Sequence, residues 1–199
     1  MKPKFNLYLA IMLFVAPACF SFETIKLDQL SMVIQKTIQT QIGQGKLDSI
    51  EKFVEDGEAI YDVEMTKEGK VRDFSVSENG ELLTIEVFLA EAPAAVQKTI
   101  ETKIGKGHLE DIYKATEDGG TSYDVEMTRE GKTRSFTVSE KGEITDEQVF
   151  INELPPVVRK AVQKQSGGGS VGEITKSKDE GEDVYDVEIT KGSLTVAST

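Results

Sequence analysis

The chain repeats itself with a period of 62 residues, and this repeat limits its fold more than any other feature of the sequence. The block YDVEMTKEGK at 61–70 returns as YDVEMTREGK at 123–132 and as YDVEITKGS from 185. A second block, IQKTIQTQIGQG at 34–45, returns as VQKTIETKIGKG at 96–107. Because two separate blocks share one offset, we predict copies of a single supersecondary unit.

Each copy is predicted to contain one helix followed by three or four strands. Ile34, Ile38 and Ile42 recur at the spacing of one helix face. Apolar and polar residues then alternate along 59–66, as in a strand with one buried face, and this pattern puts Tyr61 and its repeat in the core. We therefore predict an α+β fold: tandem repeats of one helix packed on a small antiparallel sheet of three to four strands.

The repeat and the N-terminal composition divide the chain into four segments. The predicted segments are a signal peptide at 1–18, a first repeat at 24–88, a second repeat at 89–150 and a third repeat at 151–199. The third repeat is truncated, since only LTVAST follows its turn where the first two copies continue into a hairpin. An open sheet edge is then expected in repeat 3, which predicts either strand addition by a partner or self-association through this repeat. The alternative is that residues 167–199 fold loosely, because Ser166 and the glycines at 167–169 weaken the helix that the sheet needs.

The N-terminal segment predicts export. Lys2 and Lys4 form a positive region, an apolar run follows, and the small residues at 16–18 suit a cleavage site. The apolar run is too short for a membrane-spanning helix, which needs ~20 residues, and no later stretch approaches that length. The predicted location is therefore periplasmic or secreted, with no membrane span.

Cys19 directly follows the predicted cleavage site and has two interpretations. A Cys at this place can be the lipid-attachment residue of a bacterial lipoprotein, which makes Cys19 a candidate for lipidation. Ala16, however, stands where such a site usually has Leu or another aliphatic residue. The alternative is an ordinary cleavage site, after which Cys19 is trimmed or remains as a free terminal thiol.

Composition excludes several functional classes. The 35 acidic residues outnumber the 23 Lys and Arg residues, and the formal charge of −12 disfavours nucleic acid and acidic membranes as partners. One His and one Cys cannot form a His/Cys metal cluster or an intramolecular disulfide, and a Ser/His/Asp triad could use only His108. The acidic stretch 179–183 lacks the alternating ligands of an EF-hand. We therefore expect no catalytic residue, no cofactor and no metal.

The repeated Tyr-Asp-Val-Glu blocks supply a candidate protein-binding face. Its candidate residues are Asp62, Glu64, Arg72, Asp124, Glu126 and Arg134. The alternative is that the acids are solvated strand positions, since alternation alone requires polar residues there, and that the arginines form cross-strand charge pairs with them. Paired carboxylates can also catalyse hydrolysis, but an enzyme rarely repeats one site three times along a chain.

Two stretches of the second copy resemble the PepSY-like family, in particular its periplasmic, β-lactamase-inhibitor-like branch. They are PAAVQKTIETKIGKG at 93–107 and DGGTSYDVEMTREGKTRSFTVSEKGEI at 118–144, and the first copy is similar from Val33 to Leu82. The resemblance implies an exported, non-catalytic α+β module that binds or inhibits another extracytoplasmic protein, such as a peptidase or other hydrolase. The alternative function is a structural or envelope-associated scaffold with no inhibitory role.

Overall fold

A computed structural model describes residues 23–55, 57–117 and 119–190 of the chain. The predicted signal peptide, Cys19 and residues 191–199 of the third repeat lie outside this description. Among the described residues, no helix is long and apolar enough to cross a membrane.

Three α-helices and eleven strands alternate along the described residues in the order that the repeat predicts. The helices are α1 Met32–Ile42, α2 Ala94–Ile104 and α3 Pro156–Ser166, with short 3₁₀ helices at Leu27–Gln29 and Leu89–Glu91. The strands are β1 Glu23–Thr24, β2 Lys46–Glu55, β3 Glu58–Lys67, β4 Lys70–Ser77, β5 Leu82–Glu86, β6 His108–Glu117, β7 Gly120–Arg129, β8 Lys132–Ser139, β9 Ile144–Gln148, β10 Ser170–Asp179 and β11 Glu182–Thr190.

The strands form one eleven-stranded antiparallel sheet in sequence order, so the prediction of a separate small sheet in each repeat is wrong. Strand β5 pairs with β6, where Thr84 lies opposite Ala115, and β9 pairs with β10, where Asp146 lies opposite Ser177. The physical reason is that the last strand of a small sheet exposes unpaired N–H and C=O groups. The first long strand of the next repeat pairs with these groups, and the repeats therefore share a sheet.

The chain divides into two compact units. Of the described residues, unit 1 contains those within 23–88 and Tyr113–Asp124, and unit 2 contains those within Leu89–Ile112 and 125–190.

In unit 1, helix α1 packs on β3 and β4 through the predicted isoleucine stripe. The buried cluster consists of Leu30, Ile34, Ile38, Ile42, Ile50, Tyr61, Val63, Met65, Phe74 and Val76. Each fully buried aliphatic side chain of this kind stabilises the fold by roughly 1.5–3 kcal/mol. Tyr61 is 9% exposed and its repeat Tyr123 is 4% exposed, which confirms the prediction that both are core residues.

In unit 2, helices α2 and α3 are buried to different extents. Helix α2 packs on β8 and buries Val96, Ile100 and Ile104. Helix α3 packs on β11 and buries only Val162 and Ser166. Its shorter apolar stripe follows from the sequence, because a serine stands where the first two helices have their third isoleucine.

In each of the first two helices, a threonine hydroxyl group donates a hydrogen bond to a hairpin turn. Thr37 donates a hydrogen bond of 2.5 Å to the carbonyl oxygen of Gly80, in the turn between β4 and β5. In the second copy, Thr99 donates one of 2.6 Å to the carbonyl oxygen of Gly142, in the turn between β8 and β9. These bonds satisfy turn carbonyls and fix the distance between helix and hairpin.

Candidate functional site

The sheet of unit 1 has a polar side opposite helix α1, and carboxylates are concentrated on it. Because successive strand side chains point to opposite sides, Asp62 points away from the core that holds its neighbours Tyr61 and Val63. Asp62 lies opposite Glu51 of β2 and opposite Ser75 of β4 in the register of the sheet. We call this surface the polar face, and its residues are Glu51, Asp62, Glu64, Asp73, Ser75, Thr84 and Glu86.

Two hydroxyl groups in the middle of the polar face are buried. Ser75 lies opposite Thr84 in register, and their hydroxyl oxygens are 2.7 Å apart. The two residues are only 9% and 8% exposed, and Thr84 lies opposite the buried Ala115 on its other side. In their mutual hydrogen bond one hydroxyl group donates and the other accepts, so each buried oxygen has a partner. Small, hydrogen-bonded side chains thus occupy the middle of the polar face, beside the carboxylates of Asp62 and Asp73.

Asp62 is the carboxylate most affected by this environment. Burial raises the pKa of Asp62 from an ordinary 3.8 to about 6, and the negative charges of Asp73, Glu51 and Glu55 act in the same direction. A half-buried carboxylate among like charges is unfavourable when it is ionised. The polar face therefore holds a charge at neutral pH that the folded unit itself disfavours.

Like-charged carboxylates also recur in unit 2. Burial raises the pKa of Glu126, and the nearby Asp111 and Glu110 raise it further. Burial likewise raises the pKa of Glu173, with Glu188 as the second cause. Glu126 and Glu188 are the repeats of Glu64 at one and two periods of 62 residues. Glu126 with Asp111 and Glu188 with Glu173 are the same pair one period apart, whereas the first copy has Ser49 opposite Glu64 and groups its acids around Asp62 instead.

Two other carboxylates, Glu153 and Asp183, lie beside bases that lower their pKa. The Arg134 guanidinium holds the pKa of Glu153 below its ordinary value through a hydrogen bond, and the backbone N–H of Phe150 adds to the effect. Asp183 has its pKa lowered by Lys176 and Lys178, whose amines lie 2.9 and 3.2 Å from its carboxylate oxygens. Where a base is close, the carboxylate is stabilised as an ion.

The structure places candidate residue Arg72 away from the candidate acids of the same repeat. Arg72 lies opposite Met65 in register, and Met65 is 1% exposed in the core, so this arginine is on the helix side of the sheet. Its guanidinium carbon is 4.3 Å from the centre of the Phe88 ring, a cation–π contact. Asp62 and Glu64 are brought together on the polar face without Arg72.

Arg134, the repeat of Arg72, makes the corresponding contact and an ion pair. Its guanidinium carbon lies 4.6 Å from the centre of the Phe150 ring. It donates two hydrogen bonds, of 2.7 and 3.2 Å, to the carboxylate of Glu153. This bidentate pair connects β8 with the segment that precedes α3. The candidate acids of the second copy, Asp124 and Glu126, lie on β7.

Sequence reasoning missed three acids that lie close to Asp62. Asp73 lies opposite Glu64 across the hairpin of β3 and β4, and counting residues from the turn of that hairpin would have found it. Glu51 lies opposite Asp62 and Glu55 lies opposite Glu58, so the same count from the turn between β2 and β3 would have found both.

In the part of the chain that the structure describes, no three His, Cys, Asp or Glu side chains are grouped so that they could hold a metal ion. His108, the single histidine of the sequence, begins β6.

No protein-family model and no curated protein matches the chain. Similar solved structures include a DUF2874-family candidate periplasmic protein from Bacteroides vulgatus, at 16% identity and a TM-score of 0.39, covering 64% of this chain and 96% of that one. A BLIP-like protein from Bacteroides fragilis has 17% identity and a TM-score of 0.42, covering 59% and 84%. A candidate calcium-regulated periplasmic protein from Bacteroides thetaiotaomicron has 17% identity and a TM-score of 0.40, covering 63% and 95%. The PepSY-like assignment remains a prediction.

Proposed function

We propose that this chain is an exported, non-catalytic binding module that holds a cationic surface of another extracytoplasmic protein against the polar face. The observation that carries the proposal is the group around Asp62, where Glu51 and Asp73 add negative charge beside a half-buried carboxylate. The repulsion lowers the stability of the free chain at neutral pH, and a Lys or Arg of a partner would remove it on binding. Carboxylates perturbed in this way are concentrated at functional sites.

The net charge of the chain favours the same kind of partner. A formal charge of −12 attracts a basic protein surface at long range and repels phosphate-rich surfaces. A partner whose cationic surface borders its own active site would have that site blocked on binding. This is the route by which we propose that the chain inhibits a peptidase or other hydrolase.

Repetition of the acidic groups supports binding rather than catalysis. Within unit 2, Glu126 is grouped with Asp111, and Glu173 is grouped with Glu188. A hydrolase that uses two carboxylates holds one acid and one base at a fixed distance across a single substrate. Several acidic groups along a chain suit an extended binding surface better, and we therefore assign no catalytic residue.

Charge reversal on the polar face tests the proposal. The variant Asp62→Lys/Asp73→Lys changes the centre of the face, and Glu78→Lys/Glu81→Lys makes the same change of net charge in the exposed turn after β4. Both variants and the unmodified chain are used to capture proteins from envelope extract, and affinity is then measured with the purified partner. We expect the turn variant to bind like the unmodified chain and the face variant to bind at least about tenfold more weakly.

An activity titration distinguishes the two functions, and one outcome of the binding comparison would contradict the proposal. Titrating the partner's activity separates the functions, because an inhibitor stops turnover at one equivalent whereas a scaffold leaves turnover unchanged. Equal binding by the face variant and the turn variant would show that the polar face is not the interface.

A further inference from the structure

Asn79 and Gly80 form the only Asn-Gly pair in the sequence, and they lie at the tip of the hairpin between β4 and β5. Asn79 is exposed, so water reaches its side-chain amide. Asn before Gly is prone to lose this amide spontaneously, because glycine has no Cβ atom to hinder attack by its own backbone nitrogen. The second copy has Lys141 in the otherwise identical stretch SEKGE, so the turn itself does not require asparagine.

The folded turn engages the backbone nitrogen that would attack. The Gly80 N–H donates a hydrogen bond of 2.9 Å to the Ser77 carbonyl oxygen, and the Ser77 N–H donates one of 2.9 Å to the Glu81 carbonyl oxygen. Closing a ring between the Gly80 nitrogen and the Asn79 side chain removes the Gly80 proton and so breaks the first of these bonds. The reaction therefore requires the turn to open locally.

Helix α1 holds the same turn closed from the other side. Thr37 donates a hydrogen bond of 2.5 Å from its hydroxyl group to the Gly80 carbonyl oxygen. Gly80 also lies so close to Val33 that an added Cβ atom would be 3.0 Å from its backbone. Rotation of the Gly80 backbone toward the Asn79 side chain must break the Thr37 bond and disturb this contact. The turn and the start of α1 therefore open together.

We propose that Asn79 is a spontaneous deamidation site that reacts only when the β4–β5 hairpin separates from α1. The Gly80 nitrogen bonds to the side-chain carbonyl carbon of Asn79, the bond from this carbon to the amide nitrogen breaks, and ammonia leaves with the proton that Gly80 gave up. Water then opens the five-membered ring at either carbonyl carbon, which gives aspartate or isoaspartate. One water is consumed, one ammonia is released, and one negative charge is added beside Glu78 and Glu81.

The isoaspartate product does not fit the closed turn. Its main chain runs through the side-chain carbonyl carbon, which adds one backbone atom between Ser77 and Gly80. The close contact with Val33 leaves no room for this extra length while the Gly80 carbonyl oxygen stays bonded to Thr37. A chain that has opened and reacted this way therefore keeps its first hairpin loose. This chemistry is independent of the proposed binding function.

Incubation of the full chain at neutral pH, followed by peptide mass spectrometry, tests the site and its coupling to α1. We expect a mass gain of about one dalton at Asn79, faster in unfolding urea than in the folded chain. Thr37→Val removes the hydroxyl group and should speed the folded reaction about fivefold, because the lost hydrogen bond raises the open population. Thr40→Val is the matched control, since Thr40 donates to the Lys36 carbonyl oxygen of its own helix, and its rate should be unchanged.

Two substitutions at Asn79 separate the product from its charge. Asn79→Lys copies the second hairpin and should abolish the mass gain. Asn79→Asp carries the charge of the product without the extra backbone atom, so it should unfold at a higher urea concentration than the purified isoaspartate form. The site is refuted if the urea-unfolded chain gains no mass at Asn79. The coupling to α1 is refuted if the folded chain reacts as fast as the unfolded chain, or if Thr37→Val and Thr40→Val react equally fast.

Discussion

Gly142 lies so close to Ala95 that a Cβ atom on the glycine would stand 2.8 Å from the Ala95 carbonyl oxygen. Gly142 also has a φ of +84°, a conformation that L-residues with a side chain rarely adopt. Unit 1 has the same arrangement, since a Cβ atom on Gly80 would lie 3.0 Å from the backbone of Val33. The starts of α1 and α2 thus each lie against a turn that only glycine fits.

Substitution of Gly142 should lower the free energy of unfolding by more than its positive φ alone explains. Gly142→Ala is expected to lower the free energy of unfolding by about 3 kcal/mol, from positive-φ strain and from the clash with α2. Gly131→Ala is the control: Gly131 has a φ of +72°, and nothing described lies within 4 Å of the added Cβ. It should cost about 1 kcal/mol. Urea unfolding of both variants checks the difference, and equal losses would refute the close contact.

The hydroxyl anchor of α2 should be measurable by removing the hydroxyl group. Thr99→Val is expected to destabilise the chain by about 1 kcal/mol, because the Gly142 carbonyl loses its partner while the side-chain volume is kept. Thr102 donates instead to the Lys98 carbonyl of its own helix at an exposed position. Thr102→Val should therefore change stability by no more than about 0.5 kcal/mol in the same urea experiment. A larger loss at Thr102 would contradict the anchoring role.

The tyrosines of the repeat should differ in their contribution to stability. Tyr61→Ala is expected to cost about 3–5 kcal/mol because its ring is enclosed between α1 and the sheet. Tyr185→Ala should lower the free energy of unfolding by about 1–2 kcal/mol, because among the described residues this ring is only partly buried. Thermal unfolding of the two variants gives the comparison. Equal costs would mean that Tyr185 is covered as completely as Tyr61.

The helices and hairpins could be predicted because their signals are local. The spacing of Ile34, Ile38 and Ile42 and the alternation around Tyr61 are contained in single elements. The joining of the repeats into one sheet could not be predicted in this way. The pairing of Thr84 with Ala115 depends on a strand of the next repeat, and no short motif encodes it.

The candidate site was predictable only in part. Asp62 and Glu64 follow from the alternation, but which residues surround them depends on register. In the hairpin of β3 and β4, Lys67 lies opposite Lys70, and counting back puts Met65 opposite Arg72. The count therefore predicts that Arg72 lies on the helix side of the sheet, away from the acids. The shift of pKa at Asp62 could not be predicted, since it comes mainly from burial in three dimensions.

Replacing Asp62 by asparagine should stabilise the chain at neutral pH and not in acid. Because its pKa is about 6 when folded and 3.8 ordinarily, the folded chain keeps a proton that the unfolded chain releases between these values. Stability therefore falls as the pH rises through this window and stays low above it. Asparagine has no charge to lose, so Asp62→Asn should gain about 1 kcal/mol at neutral pH, allowing for solvent screening of a half-buried group.

Asp48→Asn is the matched control for this pH dependence, because it should act in the opposite direction. The hydrogen bonds from Lys46 and Thr66 lower the pKa of Asp48, so its ionised form stabilises the folded chain above the ordinary pKa and this contribution is lost in acid. Asp48→Asn should therefore give no gain at neutral pH. Urea unfolding of both variants, measured at neutral pH and again below the ordinary carboxylate pKa, compares them. If Asp62→Asn destabilised the chain at neutral pH, the carboxylate would be compensated in the fold, and the charge argument for the polar face would fail.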